Sequence, residues 1–207
     1  MKGSLITILC FISGCLVGIA VKSGADTVHH ISLWLLYLLM LQAGLGIGCN
    51  RELPSMLKNL SPRIIFLPIA TIVGALLFSA AAALVLSHWN VTQCMAAGGA
   101  CGYYSLASIM INNLTEPTLG KTLAAELATV ALLANIFREL FALVAAPAIK
   151  RILGPEAEIA AAGVTSVDVC FPAIKRWCGD DYIPAAIVSG VTIDLCTPFL
   201  ITFFCSL

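Results

Sequence analysis

The feature that most constrains this sequence is the stretch from Thr122 to Lys150, which is almost entirely apolar. About 20 helical residues, rising about 1.5 Å each, cross the hydrocarbon core of a bilayer, so this stretch is long enough to span it. It nevertheless contains Glu126, Asn135, Arg138 and Glu139. Arg138 and Glu139 fall near its middle, where an ionisable group is costly unless it faces a partner or water. The stretch predicts a transmembrane helix that carries functional side chains.

The composition of the whole chain supports a membrane location. The 207 residues are 60% hydrophobic and 11% charged, whereas a soluble domain is typically about 25% charged. Because helices satisfy their own backbone hydrogen bonds in lipid, we expect an all-α integral membrane protein. The formal net charge is zero, which gives no electrostatic reason to expect a nucleic-acid partner.

The cysteines and histidines do not predict a metal site. The nine cysteines form no CxxC pair and mostly lie within or beside apolar runs, and the three histidines lie in short loops without a metal-ligand spacing. We interpret the cysteines as small buried apolar side chains.

Four further apolar runs predict membrane helices: Ser4 to Val21, Ile31 to Cys49, Ile64 to Leu86, and Tyr182 to Phe204. The first run follows Lys2 and resembles a signal peptide. However, Gly14 and Gly18 form a GxxxG pair, which favours close helix packing in lipid. We therefore expect this run to be a retained span.

Two segments have the composition of interrupted helices. The run from Cys94 to Ile111 contains Gly98, Gly99 and Gly102, and glycine is disfavoured in a helix interior by about 1 kcal/mol relative to alanine. A glycine-rich packing face is the alternative. The run from Ile159 to Ile174 is short and polar, with a Gly163–Asp168 motif followed by Pro172. Interrupted backbone at membrane depth requires cover from protein or water.

Basic residues suggest the topology. If each interrupted segment enters and leaves from one face, the basic residues concentrate on the inner side more strongly than if every segment crosses. This arrangement predicts about five full spans, one re-entrant segment from each face, and an external C-terminus. Interrupted segments that meet from opposite faces are typical of secondary transporters with inverted repeats.

The polar residues at membrane depth are the candidate site. Glu139 and Asp168 could each hold a proton or a cationic substrate. Asn135 shares a helix face with Glu139, while Arg138 could pair with Asp168 or with Asp194, or could cap free carbonyls of an interrupted segment. Asp194 could instead be a structural acid.

Hydroxyl and aromatic groups complete the set. Tyr103, Tyr104 and Ser105 follow the glycine interruption, where they could contact an ammonium group. Thr165 and Ser166 lie in the second interruption. Two acids at membrane depth are also a feature of intramembrane aspartyl proteases. That chemistry needs a paired-acid motif, which this sequence does not contain, so we expect the protein not to be an enzyme.

Four motifs in order resemble the bacterial lysine exporter (LysO-type) family: Gly102 to Leu106, Leu133 to Leu140, Gly163 to Asp168 with Phe171-Pro172, and Pro184 to Gly190. The resemblance implies a multi-pass protein of the bacterial inner membrane that exports L-lysine and its analogue thialysine. It assigns essential acids to Glu139 and Asp168, the family's arginine to Arg138, and its Tyr-Ser-Leu to residues 104–106.

Two departures from this family are evident. The chain lacks the N-terminal third of the family, so we expect a separate small membrane subunit or a homodimer to supply it, unless the activity has changed. Asp194 has no counterpart in the family pattern.

The sequence therefore predicts one membrane transport domain over residues 1–207 that exports L-lysine or a related cationic amino acid by proton antiport, without cofactor or metal. The alternative is a non-transporting membrane subunit or scaffold of a split transporter.

Overall fold

The structure is a computed structural model, and it describes residues 62–86 and 88–207, together with Ser13, Gly14, Trp34, Leu38, Leu41 and Leu45. These six separate residues are helical and exposed. Contacts divide the chain into two units, Met1–Gly46 and Ile47–Leu207. The remainder of the first two apolar runs, including Gly18, lies outside the described residues.

The second unit is built from helices, and its described residues include no β-strand. From residue 62 onward, seven α-helices follow one another: α1 (Pro62–Ala82), α2 (Val91–Gly99), α3 (Tyr104–Leu119), α4 (Lys121–Leu153), α5 (Pro155–Ala162), α6 (Phe171–Cys178) and α7 (Ile183–Cys205). A 3-10 turn over Gly163–Val167 follows α5, and a shorter one over Asp180–Tyr182 precedes α7.

In the described part of the chain, three stretches are long and apolar enough to cross a membrane: Ile64–Ala82, Lys121–Leu153 and Asp180–Cys205. Each leaves large apolar side chains exposed, among them Phe66 and Phe78 on α1, Phe137 on α4, and Phe199 on α7. Such exposure is unfavourable in water and favourable in lipid. The prediction of an all-α membrane protein is confirmed, whereas five full spans and inverted repeats stay predictions.

Two helix boundaries differ from the sequence-based expectation. α1 ends at Ala82, four residues before the apolar run ends at Leu86. α3 continues beyond Ile111 to Leu119 and includes Pro117 in its last turn. The buried side chains of Ile111 and Thr115 continue the packed face of α3 through this region, so packing extends the helix past the end of the apolar run.

Both predicted interruptions are confirmed. α2 ends at Gly99 and α3 begins at Tyr104, and α5 and α6 are separated by residues 163–170. Each interrupted segment packs against a different half of α4. One apolar cluster joins α2, α3 and α7 to Leu127, Ala128 and Ala131 of α4. A second joins α5, α6 and α7 to Ala142. Asn135, Arg138 and Glu139 therefore lie between two apolar clusters.

Candidate functional site

The two interruptions contact each other directly. The backbone N–H of Val164 donates to the carbonyl oxygen of Cys101 across 3.0 Å. Cys101 has φ +48°, and Gly163 has φ +62°. We call this contact between residues 100–103 and 163–170 the crossing. A Cβ at Gly163 would overlap the Cys101 carbonyl oxygen, so the crossing requires glycine at this position. Cys101 and Val164 also pack with Ile193 of α7.

Asn135 of α4 holds the first interruption. Its Oδ1 accepts a hydrogen bond from the backbone N–H of Gly102 at 2.8 Å. Its Nδ2 donates to the carbonyl oxygens of Ala97 at 3.0 Å and Ala131 at 2.8 Å. Both amide hydrogens are thereby used by backbone carbonyls. The side chain is 3% exposed, so Asn135 positions the interruption and has no donor free for a substrate.

Arg138 holds the second interruption in the same way. Its Nε donates to the carbonyl oxygen of Ala161 at 3.0 Å, and its Nη2 donates to that of Ala160 at 2.9 Å. These are carbonyls of the last turn of α5, which lack helical partners. Of the predicted roles for Arg138, capping is therefore the one found. The ion pair within the described residues is Lys175 with Asp180, so pairing of Arg138 with Asp168 or Asp194 is wrong.

The hydroxyl groups of the second interruption are also used internally. Thr165 Oγ1 lies 2.9 Å from the carbonyl oxygen of Ala162 and 3.2 Å from Cys170 Sγ. Ser166 Oγ donates to the carbonyl oxygen of Ala186 on α7 at 2.9 Å. Both residues are buried. They stabilise the 3-10 turn and its contact with α7.

The three predicted acids converge on the crossing. Glu139 is 9% exposed, and its Oε2 has no hydrogen-bond partner in the described part of the chain. Asp168 is exposed and accepts a hydrogen bond from the backbone N–H of Val169. Asp194 is partly buried on α7. Asp168 ends the 3-10 turn of the second interruption, and Asp194 follows Ile193, which packs with Cys101 and Val164.

Two tyrosines lie at the start of α3, beside the first interruption. Tyr103 packs against the cluster of Cys101, Val164 and Ile193, and Tyr104 is the first residue of α3. Both tyrosines and Ser105 are partly buried. Carboxylates beside aromatic rings form a suitable environment for an ammonium group.

Sequence reasoning missed one buried acid. Glu158 of α5 is fully buried, and neither of its carboxylate oxygens has a hydrogen-bond partner among the described groups. Its sequence context resembles an ordinary acidic first turn, since Pro155 and Glu156 precede it. Glu156 is indeed exposed. Only the packing of α5 distinguishes the two glutamates. Within the described residues, no group of His, Cys, Asp and Glu side chains is arranged to hold a metal ion.

Comparison with known proteins identifies relatives. The chain is 33% identical over 115 residues to a protein of Escherichia coli K12 named "Lysine exporter LysO", an alignment that covers 56% of this chain and 35% of the relative. It is 29% identical over 116 residues to a "Putative lysine exporter" of Haemophilus influenzae, with 56% of this chain and 55% of the relative covered. The alignments thus span about a third and about half of these relatives.

No solved structure matches the chain. The family described as "Lysine exporter LysO" matches it across residues 8–205, which is nearly its full length. The chain therefore belongs to the lysine exporter LysO family.

Proposed function

We propose that this chain forms the substrate pathway of a secondary transporter that exports L-lysine or a related cationic amino acid, including thialysine, in exchange for protons. The observation that supports the proposal is the position of Glu139, Asp168 and Asp194 around the contact between two interrupted helices. Membership of a lysine exporter family supports the same substrate class.

Glu139 is the coupling residue of this mechanism. A buried carboxylate without a partner is unfavourable as an anion, and either a proton or a substrate ammonium group neutralises it. The unpartnered Oε2 can accept one of them at a time. Mutually exclusive occupancy of one carboxylate is the physical basis of antiport. Lysine would thus leave Glu139 when a proton binds there.

Asp168 has a different role, because it is exposed. It attracts the cation and passes it to the buried carboxylate, while Tyr103 and Tyr104 supply aromatic faces. The substrate carboxylate needs positive potential, which the N-termini of α3 and α6 beside the interruptions provide. Asn135 and Arg138 fix the two interruptions and do not contact the substrate.

A growth assay tests this proposal. Bacteria that lack the chain should become more sensitive to thialysine, and the wild-type gene should restore growth. Glu139→Gln and Asp168→Asn should fail to restore it, because the amides carry neither charge nor exchangeable acid proton. Glu126→Gln is the matched control, since Glu126 lies on the same helix but is exposed.

The same assay distinguishes the alternative, a non-transporting membrane subunit or scaffold of a split transporter. If both acid-to-amide variants restored growth as well as wild type while deletion of the chain still impaired it, the chain would act by assembly with a small membrane subunit or a second copy. Expression of each variant in the membrane must be verified by immunoblot.

A further inference from the structure

Glu158 is the buried ionisable side chain that the proposed mechanism does not use. It is 0% exposed, and both of its carboxylate oxygens lack a hydrogen-bond partner in the described part of the chain. An ionised carboxylate in such surroundings has neither solvation nor a counter-charge. A proton is the smallest ligand that removes this penalty, and a neutral carboxylic acid is tolerated in an apolar interior.

The position of Glu158 connects the site to the surface. α5 is 8 residues long, which corresponds to about 12 Å of helix. Its last turn is capped by Arg138 at the crossing. Its first residue, Pro155, lies at a polar face that we define by the exposed residues Lys150, Arg151, Glu156, Lys175, Arg176 and Asp180. Glu158 is about one helical turn inward from this face.

Two cysteines mark contacts on either side of Glu158. Cys178 Sγ lies 3.9 Å from the carbonyl oxygen of Pro155, the first residue of α5. Cys170 packs with Ile159 and Ala162 of α5, and its Sγ lies 4.0 Å from the Glu139 carbonyl oxygen. Glu158 therefore lies between the polar face and the buried acid of the crossing.

Among the described residues, no cation on the elements packed against α5 forms an ion pair with Glu158. α4 contributes Glu139 and Arg138, and the Arg138 guanidinium is used by the carbonyl oxygens of the last turn of α5. At the polar face α4 contributes Lys150, and α6 contributes Lys175 and Arg176. The described side chains of α1, from Ile64 to Ala82, include no titratable group. α7 packs against α5 through Ala185 and Ala186, which carry no charge. No Lys or Arg side chain forms an ion pair with Glu158 within the described residues.

We propose that Glu158 is a second proton-binding site, which receives protons from the polar face and delivers them to Glu139. Water at the polar face protonates the Glu158 carboxylate to the neutral acid. That acid then gives its proton to the Glu139 carboxylate, which releases the bound ammonium group. This inference rests on the proposed antiport function and adds the route by which the coupling proton arrives.

Infrared spectroscopy of the purified full chain in lipid vesicles tests the protonation directly. At neutral pH the wild-type protein should show the carbonyl-stretch band of a protonated carboxylic acid, and Glu158→Gln should remove this contribution. The matched control is Glu156→Gln, which changes an exposed acid of the same helical turn and should leave the band unchanged. A spectrum that Glu158→Gln does not alter would overturn the proposal.

Transport in the same vesicles tests the route. Glu158→Gln should retain lysine–lysine exchange at equal pH on both sides, but its transport driven by a pH gradient should fall to background. Equal gradient-driven transport in Glu158→Gln and wild type would contradict a relay, and loss of both activities would indicate a structural role instead. If wild-type vesicles do not transport lysine, the proposed antiport fails, and the infrared result alone decides whether Glu158 binds a proton.

Discussion

The backbone N–H of Val164 donates a hydrogen bond to the carbonyl oxygen of Cys101 across 3.0 Å, which joins the two helix interruptions. Hydrogen bonds between irregular backbone segments are strong in an environment that excludes water, because no solvent competes for the same groups. This contact makes the geometry of one interruption depend on the other. The acids around the crossing therefore occupy a site whose two sides are joined through the backbone.

Gly163 should be the least replaceable residue of the crossing. Gly163→Ala places a methyl group against the Cys101 carbonyl oxygen and forces alanine to adopt φ +62°. The backbone strain alone costs about 1–3 kcal/mol, and the overlap adds to it. Gly179→Ala is the control, since Gly179 has φ +97° but no neighbour within 4 Å of an added Cβ. Denaturant unfolding in lipid–detergent micelles should show a larger loss of unfolding free energy for Gly163→Ala than for Gly179→Ala. Equal losses in the two variants would contradict the contact between Gly163 and Cys101.

Asn135→Ala should destabilise the protein without changing any charge. It leaves the Gly102 N–H and the Ala97 carbonyl without their partner, and each unpaired buried group costs about 1–3 kcal/mol. For the two groups together, a loss of about 2–6 kcal/mol in unfolding free energy is expected. Thr129→Ala, an exposed change on the same helix, should stay within about 0.5 kcal/mol of wild type. A stable Asn135→Ala protein that fails only in lysine binding would instead assign the amide to the substrate.

Arg138→Lys tests whether Arg138 stabilises the protein through its hydrogen bonds to the α5 carbonyls or through its positive charge. A lysine ammonium preserves the charge but lacks the planar arrangement with which Nε and Nη2 bind two successive carbonyls. Arg138→Lys and Arg138→Gln should therefore lose similar stability, about 1–3 kcal/mol, measured by thermal unfolding. If Arg138→Lys had wild-type stability and Arg138→Gln did not, the charge would matter, and Arg138 would have an acidic partner.

Gly190 tests the contact between α7 and the second interruption. A Cβ at this position would lie 2.5 Å from Ser166 Oγ and 2.6 Å from Val167 Cγ1. Gly190→Ala should lower the unfolding free energy by about 1–3 kcal/mol through overpacking. Gly74→Ala places its methyl group in open space and should be neutral or stabilising by up to about 1 kcal/mol. The reverse order of stability would show that α7 is packed differently.

The sequence predicts the interruptions well because their causes are local. Clustered glycines and a proline disfavour a continuous helix wherever they occur, so the interruptions at residues 100–103 and 163–170 follow from composition. The partner of Arg138 does not follow from composition. An arginine beside three acids suggests an ion pair, and only the approach of α5 to α4 directs its guanidinium to backbone carbonyls.

Burial explains the remaining differences between expectation and structure. Glu156 and Glu158 are both acids of one helical turn, and periodicity alone cannot tell which one faces the interior. Similarly, a polar Asn135 on a transmembrane helix suggests a ligand contact, yet its hydrogen bonds hold the interruption. Long-range packing decides both cases.

Lysine transport by the purified chain in lipid vesicles, with and without a pH gradient, tests the central role of Glu139 most directly. We expect a pH gradient to drive transport by the wild-type protein, Glu139→Gln to abolish this transport, and Glu126→Gln to preserve it. Gradient-driven transport by Glu139→Gln at the wild-type rate would contradict the assignment of the coupling carboxylate.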